Sequence, residues 1–69
     1  MSKLPLAVME RLLRDGGAER VSEDAKEALS EILEEYALDI GKDAVLLSEH
    51  AGRKTVRKED VELASKRKT

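Results

Sequence analysis

EDAKEALSEILEEYALDIGKDAVLLSEHA, residues 23–51, is the stretch that decides the architecture. It contains no proline, and Ala25, Leu29, Ile32, Leu33, Tyr36, Ile40, Leu47 and Ala51 recur at spacings that keep to one face of a 3.6-residue helix. Val45 and Leu46 widen that face beyond one stripe, as expected of a helix covered on several sides. Ser22 is a favoured N-cap, Glu23 and Asp24 fall in the first turn where the helix dipole favours anions, and Gly52 closes the far end. Position 25 is alanine, so the reciprocal capping box is incomplete. About 28 residues at 1.5 Å each make a rod of roughly 42 Å, whereas a compact chain of this length has a diameter of about 28 Å. The rod overhangs any core that one copy can build. Its apolar face needs cover from a second copy, and the expectation is an obligate dimer.

Ala37, Gly41, Ala44 and Ser48 form a run of small residues beside that face. Small side chains let helix axes approach closely. Two readings stand side by side: the long helix crosses its symmetry mate here, or it packs ordinarily against short helices of its own chain.

On the N-terminal side, Pro5 suits a first helical position because its missing N–H has no partner there anyway. Leu6, Val8, Met9, Leu12 and Leu13 follow at mixed i+3 and i+4 steps, and Gly16-Gly17 supplies the left-handed stop, which predicts a helix of about 11 residues. Ala18-Glu19-Arg20-Val21 is too short for an independent strand and reads as a loop. Beyond Gly52, Arg53-Lys54-Thr55-Val56-Arg57 is a second short loop, and a third helix begins at Lys58. Its acids, Glu59 and Asp60, open it and its bases, Lys66, Arg67 and Lys68, lie near its end, the sense that the dipole favours. The plan is all-α: short helix, long central helix, short helix, in a single domain spanning residues 1–69.

Composition narrows the chemistry. The 69 residues include 13 Lys or Arg, 15 Asp or Glu, one histidine, His50, one aromatic, Tyr36, and no cysteine. That removes disulfides, cysteine metal sites and thiol nucleophiles. Carboxylates are abundant, but on a solvated helix face they lack the desolvated cleft that perturbs a catalytic pKa. No phosphate-cradling glycine loop or metal cluster is present, so no enzyme activity, cofactor or metal is expected. No apolar run approaches the roughly 18 to 20 residues of a membrane span, and the N-terminus has no secretory h-region, so the expectation is a cytoplasmic protein with no membrane partner. The net charge of −2 conceals a pattern: residues 1–22 sum to +1, residues 23–51 to −7 and residues 52–69 to +4. Local field rather than net charge decides what each part attracts.

Gly17-Ala18-Glu19-Arg20-Val21-Ser22, Ile32-Leu33-Glu34-Glu35, His50-Ala51-Gly52-Arg53-Lys54-Thr55-Val56 and Glu59-Asp60-Val61-Glu62-Leu63-Ala64 stand at specific spacings over essentially the whole chain. In these stretches the sequence resembles the archaeal histones, minimal histone-fold proteins. The resemblance implies a histone fold that forms a handshake dimer, with the loops of each copy brought beside those of its partner and the long helices crossing at the centre. It implies that double-stranded DNA wraps along a basic edge of that dimer. Arg11 and Arg14 on the first helix, Arg20 in the first loop, and Arg53, Lys54, Thr55 and Arg57 in the second are the residues for such an edge. Phosphate contacts of this kind position DNA without reading its sequence and make binding salt-dependent. Arg11 matches the family's minor-groove arginine, which uses the negative potential of a narrowed groove.

The resemblance also assigns Arg53 and Asp60 to a salt bridge that clamps the second loop to the third helix. It assigns Leu47, His50, Asp60 and Leu63 to a contact between dimers that extends them into a tetramer or a longer filament, with other histones as alternative partners in a heterodimer. The implied function is compaction of the chromosome in the nucleoid. The long helix is unusually acidic, however: Glu27, Glu31, Glu34, Glu35 and Glu49 share one face with Lys42, and Leu38 lies among them. Leu38 is either an unremarkable exposed residue or a partner contact. A second function therefore stands beside the first: an interaction or capping module that pairs with another histone-fold chain and has little DNA affinity of its own.

Overall fold

The computed structural model describes residues 4–67, which form three α-helices and, among the described residues, no strand. α1 covers Leu6–Asp15, α2 Glu23–His50 and α3 Lys58–Lys66. Lys68 lies outside the described residues. None of the described helices is long and apolar enough to cross a membrane.

The helix ends follow local chemistry closely, with one departure from expectation. Pro5 is not the first helical residue but the cap before it: its ψ of 127° is extended, while its carbonyl accepts the first helical bond from the Met9 N–H at 3.3 Å. A cap needs extended backbone, and proline's fixed φ permits that as readily as helix. α1 is consequently 10 residues long. At the start of α2 the Ser22 hydroxyl accepts the Ala25 N–H at 3.1 Å, the half of a capping box that the sequence can supply.

α1 and α2 end in the same way. Gly17 (φ 110°) donates its N–H to the Arg14 carbonyl and Ala18 donates to Leu13; Gly52 (φ 74°) donates to Glu49 and Arg53 to Ser48. Each is a paired 5→2 and 6→1 arrangement with a glycine at the position of positive φ. At α2 this places Arg53 immediately after the left-handed residue, at the mouth of the second loop.

The chain divides into two compact units, the first ending at Glu35 and the second starting at Tyr36. In the first, Met9 of α1 and Ser30 of α2 are buried, and the Ser30 hydroxyl reaches the Leu4 carbonyl at 3.4 Å. Leu6, Val8, Leu13, Leu29 and Leu33 are half-buried around them. In the second, the buried residues are Ala44 and Ser48 of α2 and Asp60 and Ala64 of α3. Each pair is four residues apart and so lies on one helix face. Apart from Asp60, these buried side chains are small, so helix backbones can lie close. The small-residue run is thus split: Ala44 and Ser48 are consumed within the chain, whereas Ala37 and Gly41 are exposed.

Many large apolar side chains are left outside. Leu12, Ile32, Tyr36, Leu38, Val45, Leu46, Val56, Val61 and Leu63 are all exposed, Ile32 to 63%. Ile32 and Tyr36 belong to the stripe that predicts a buried face, so one copy covers only part of that stripe.

Candidate nucleic-acid interface

The first loop, residues 16–22, is held from α1. Arg14 sits in the last turn, and its guanidinium spans two groups: Nε and Nη2 each lie 3.0 Å from Glu10 Oε2, while Nη1 donates to the Glu19 carbonyl at 3.0 Å. The other oxygen of Glu10 accepts from Lys26 Nζ at 3.1 Å, and Lys26 also meets Glu23 at 2.7 Å. The Lys26 side chain is only 14% exposed. Hydrogen bonds from Lys26 and then from Arg14 hold the Glu10 carboxyl below the usual carboxylate range. Glu23 and Glu10 raise Lys26 in turn. Arg20, the next residue after the anchored carbonyl, is exposed. Among the described residues Arg11 is paired only with Asp15, at 3.5 Å, and both side chains are largely exposed.

The second loop is held from its own base. Arg53 donates to both oxygens of Asp60 at 2.9 Å and, through Nη1, to the Thr55 carbonyl at 2.8 Å. Asp60 is buried and accepts a further bond, from the Arg57 N–H at 2.8 Å, where it caps α3 from the third helical position. Arg53, then the Arg57 N–H, hold its carboxyl down at about 2, and Asp60 in turn raises Arg53. Lys54, Thr55 and Arg57 are exposed. Among the described residues, Arg20, Lys54 and Arg57 make no salt bridge.

The expected clamp residues, Arg53 and Asp60, are therefore in contact. The seven cationic-edge positions separate into those held by carboxylates, Arg14 and Arg53, and those turned to solvent, Arg20, Lys54, Thr55 and Arg57, with Arg11 weakly tied. Of the expected contact between dimers, Leu47 is half-buried, His50 and Leu63 are exposed, and Asp60 is buried by its own loop. His50 lines a shallow groove with Leu46 and Glu49. No group of side chains among the described residues could hold a metal ion.

Two features are not anticipated from the sequence. The Glu10–Arg14 spacing of four residues is a signal for an ion pair on a helix, but nothing local announces that the same arginine reaches the Glu19 carbonyl or that Lys26 closes the network. The second is the capping role of Asp60, for which an acid at the third helical position is the signal.

A profile of the family described as histone-like transcription factor (CBF/NF-Y) and archaeal histone matches residues 2–64. The chain belongs to that family. It is 61% identical over 66 residues to one of the subunits of archaeal histone HAN1 of Thermococcus zilligii, covering 96% of this chain and 98% of that one. It is 50% identical over 64 residues to probable archaeal histone 3 of Methanocaldococcus jannaschii, covering 93% and 96%. With histone H4 of Dictyostelium discoideum it shares 39% identity over 59 residues, 86% of this chain but 55% of the longer H4. The family is one of structural DNA-binding proteins rather than enzymes, and the three helices, with no strand among the described residues, are consistent with its histone fold. Both pinned loops of this histone lie within the matched residues, and so do Arg11, Arg20, Lys54 and Arg57.

Proposed function

We propose that this archaeal histone pairs with a second copy in a handshake dimer, binds double-stranded DNA largely without regard to sequence, and wraps it to compact the chromosome. The observation that carries the reading is the exposure of Arg20, Lys54, Thr55 and Arg57 on two loops whose backbones are each held by an arginine. Rigid loops offering cations and backbone N–H groups suit phosphates at fixed positions and read no base edges. Arg11 reaches the minor groove in this reading, and Arg53 serves chiefly by keeping the second loop in shape.

Dimerisation is supported by the exposed Ile32, Tyr36 and Val61, which a single copy leaves in water. Pairing brings the loops of one copy beside those of its partner and joins their cations into one edge. Residues 1–69 act as one domain in this assembly. Leu47, His50 and Leu63, with Asp60 beneath, form the contact through which dimers extend into a tetramer or filament, and the protein resides on the chromosome in the nucleoid.

A gel shift across a salt series tests the reading. Affinity should fall steeply and linearly with the logarithm of salt concentration. No shift even at low salt would defeat DNA wrapping, and an affinity that ignores salt would defeat its electrostatic basis.

A second reading is favoured by one observation: Glu27, Glu31, Glu35, Leu38 and Glu49 of α2 are all exposed. A histone-fold chain with such a helix serves as a capping or heterodimer partner with weak DNA affinity. The same titration separates the two, because a capping module shifts DNA only when a second histone is added.

A further inference from the structure

The first loop is built like the second, although different residues do the work. In the second, a guanidinium fixed by a carboxylate on one side holds a loop carbonyl on the other, next to an exposed cation: Asp60, Arg53, the Thr55 carbonyl and Lys54. In the first, Glu10, Arg14, the Glu19 carbonyl and Arg20 stand in the same chemical relation. We infer that Arg14 is a positioning residue for the first loop and not a phosphate ligand, and that Glu10 and Lys26 belong to the same device. The consequence for DNA rests on the wrapping reading; the positioning itself does not.

Three observations separate this from an ordinary surface ion pair, which contributes little. Arg14 has a third contact, to backbone in the loop, so its orientation is fixed at both ends. Glu10 is anchored independently by Lys26, whose side chain is mostly covered. The network also joins the last turn of α1 to the first turn of α2, the two helix ends between which the loop hangs. If Arg14 swung out to a phosphate it would release the Glu19 carbonyl and Glu10 together, leaving a carboxylate near a polyanion with only Lys26 to neutralise it.

The two roles predict opposite signs for one substitution. Glu10→Gln removes a negative charge and frees Arg14. A phosphate ligand would then bind DNA more tightly, whereas a positioning residue loses its anchor. We expect Glu10→Gln to weaken binding about threefold to tenfold, on the scale of one hydrogen bond, and to lower the backbone 15N order parameters of Glu19 and Arg20, the peptide whose carbonyl Arg14 holds. Arg14→Lys keeps the charge but has no fork to span both groups, so it should behave like Arg14→Gln in both measurements. Tighter binding by Glu10→Gln, or full rescue of affinity by Arg14→Lys, would overturn the inference. If the unmodified protein shifts no DNA, the wrapping reading fails; the order parameters of Glu19 and Arg20 still decide the positioning role, since unchanged values in both variants refute it.

Discussion

Arg53 and Asp60, seven residues apart, meet through two N–H···O contacts of 2.9 Å, one to each carboxylate oxygen. The pair is more than a surface bridge, because Asp60 is buried, caps α3 through the Arg57 N–H, and leaves the arginine one further donor for the Thr55 carbonyl. A single carboxylate thereby fixes both the start of a helix and the course of the loop before it.

The pair gives the fold an acid limit. The folded Asp60 carboxyl titrates at about 2, below its ordinary 3.8. A depressed carboxylate contributes stability that is fully present above its ordinary value and is lost as pH falls from there through the folded one. Glu10, lowered by Lys26 and Arg14, acts in the same direction. Thermal unfolding followed by circular dichroism should show stability declining as pH drops below 3.8 toward 2, with a shallower decline in Asp60→Asn. An unchanged slope in that variant would mean that other groups govern the acid transition.

Any side chain at Gly52 should be destabilising. Its φ of 74° is left-handed, and nothing lies within 4 Å of a Cβ placed there, so the penalty is conformational and not a clash. Gly52→Ala should cost about 1 to 2 kcal/mol in denaturant unfolding. Gly41→Ala, also without a neighbour near the new Cβ but within a helix, should not share that penalty within the chain.

The DNA edge should respond residue by residue. Arg20→Ala and Arg53→Ala are each expected to weaken binding with little change in sequence preference, the first by removing a phosphate contact and the second by loosening a loop. Lys54→Ala should also lower the salt slope by about one ion. Electrophoretic titration of the three variants on unrelated duplexes checks this, and unchanged affinity in all of them would show that the edge lies elsewhere.

The proposed extension beyond the dimer should be separable from folding. Replacing the exposed His50, or Leu47 beside it in the helix, by a charged residue should leave helix content intact and shorten the DNA fragments protected from nuclease. The same ladder as the unmodified protein would remove these residues from the contact between dimers.

Much of the fold is legible in the sequence because helix ends are written locally: Ser22, Gly17 and Gly52 each satisfy backbone groups within five residues, and the structure places them as their chemistry demands. Pro5 is off by one position because proline's φ suits a cap and a first helical residue alike. The Arg53–Asp60 clamp is legible only through resemblance, since seven residues that cross a loop carry no fixed geometry. The Glu10–Arg14–Lys26 network is half legible: helical spacing gives the first pair, while Lys26 is 16 residues from Glu10 and meets it only after the chain has turned back. Burial of the long stripe is the least legible, because Ile32 and Tyr36 depend on a neighbour that the periodicity demands but does not identify.

Met9 is the only large apolar side chain buried among the described residues, and this has a cellular corollary. A protein whose oily surface is sheltered mainly by association has a folded population that rises with its own abundance. Newly made copies that find no mate would be open to proteases for longer. Supply of the protein would then be trimmed to what assembles, without a dedicated regulator.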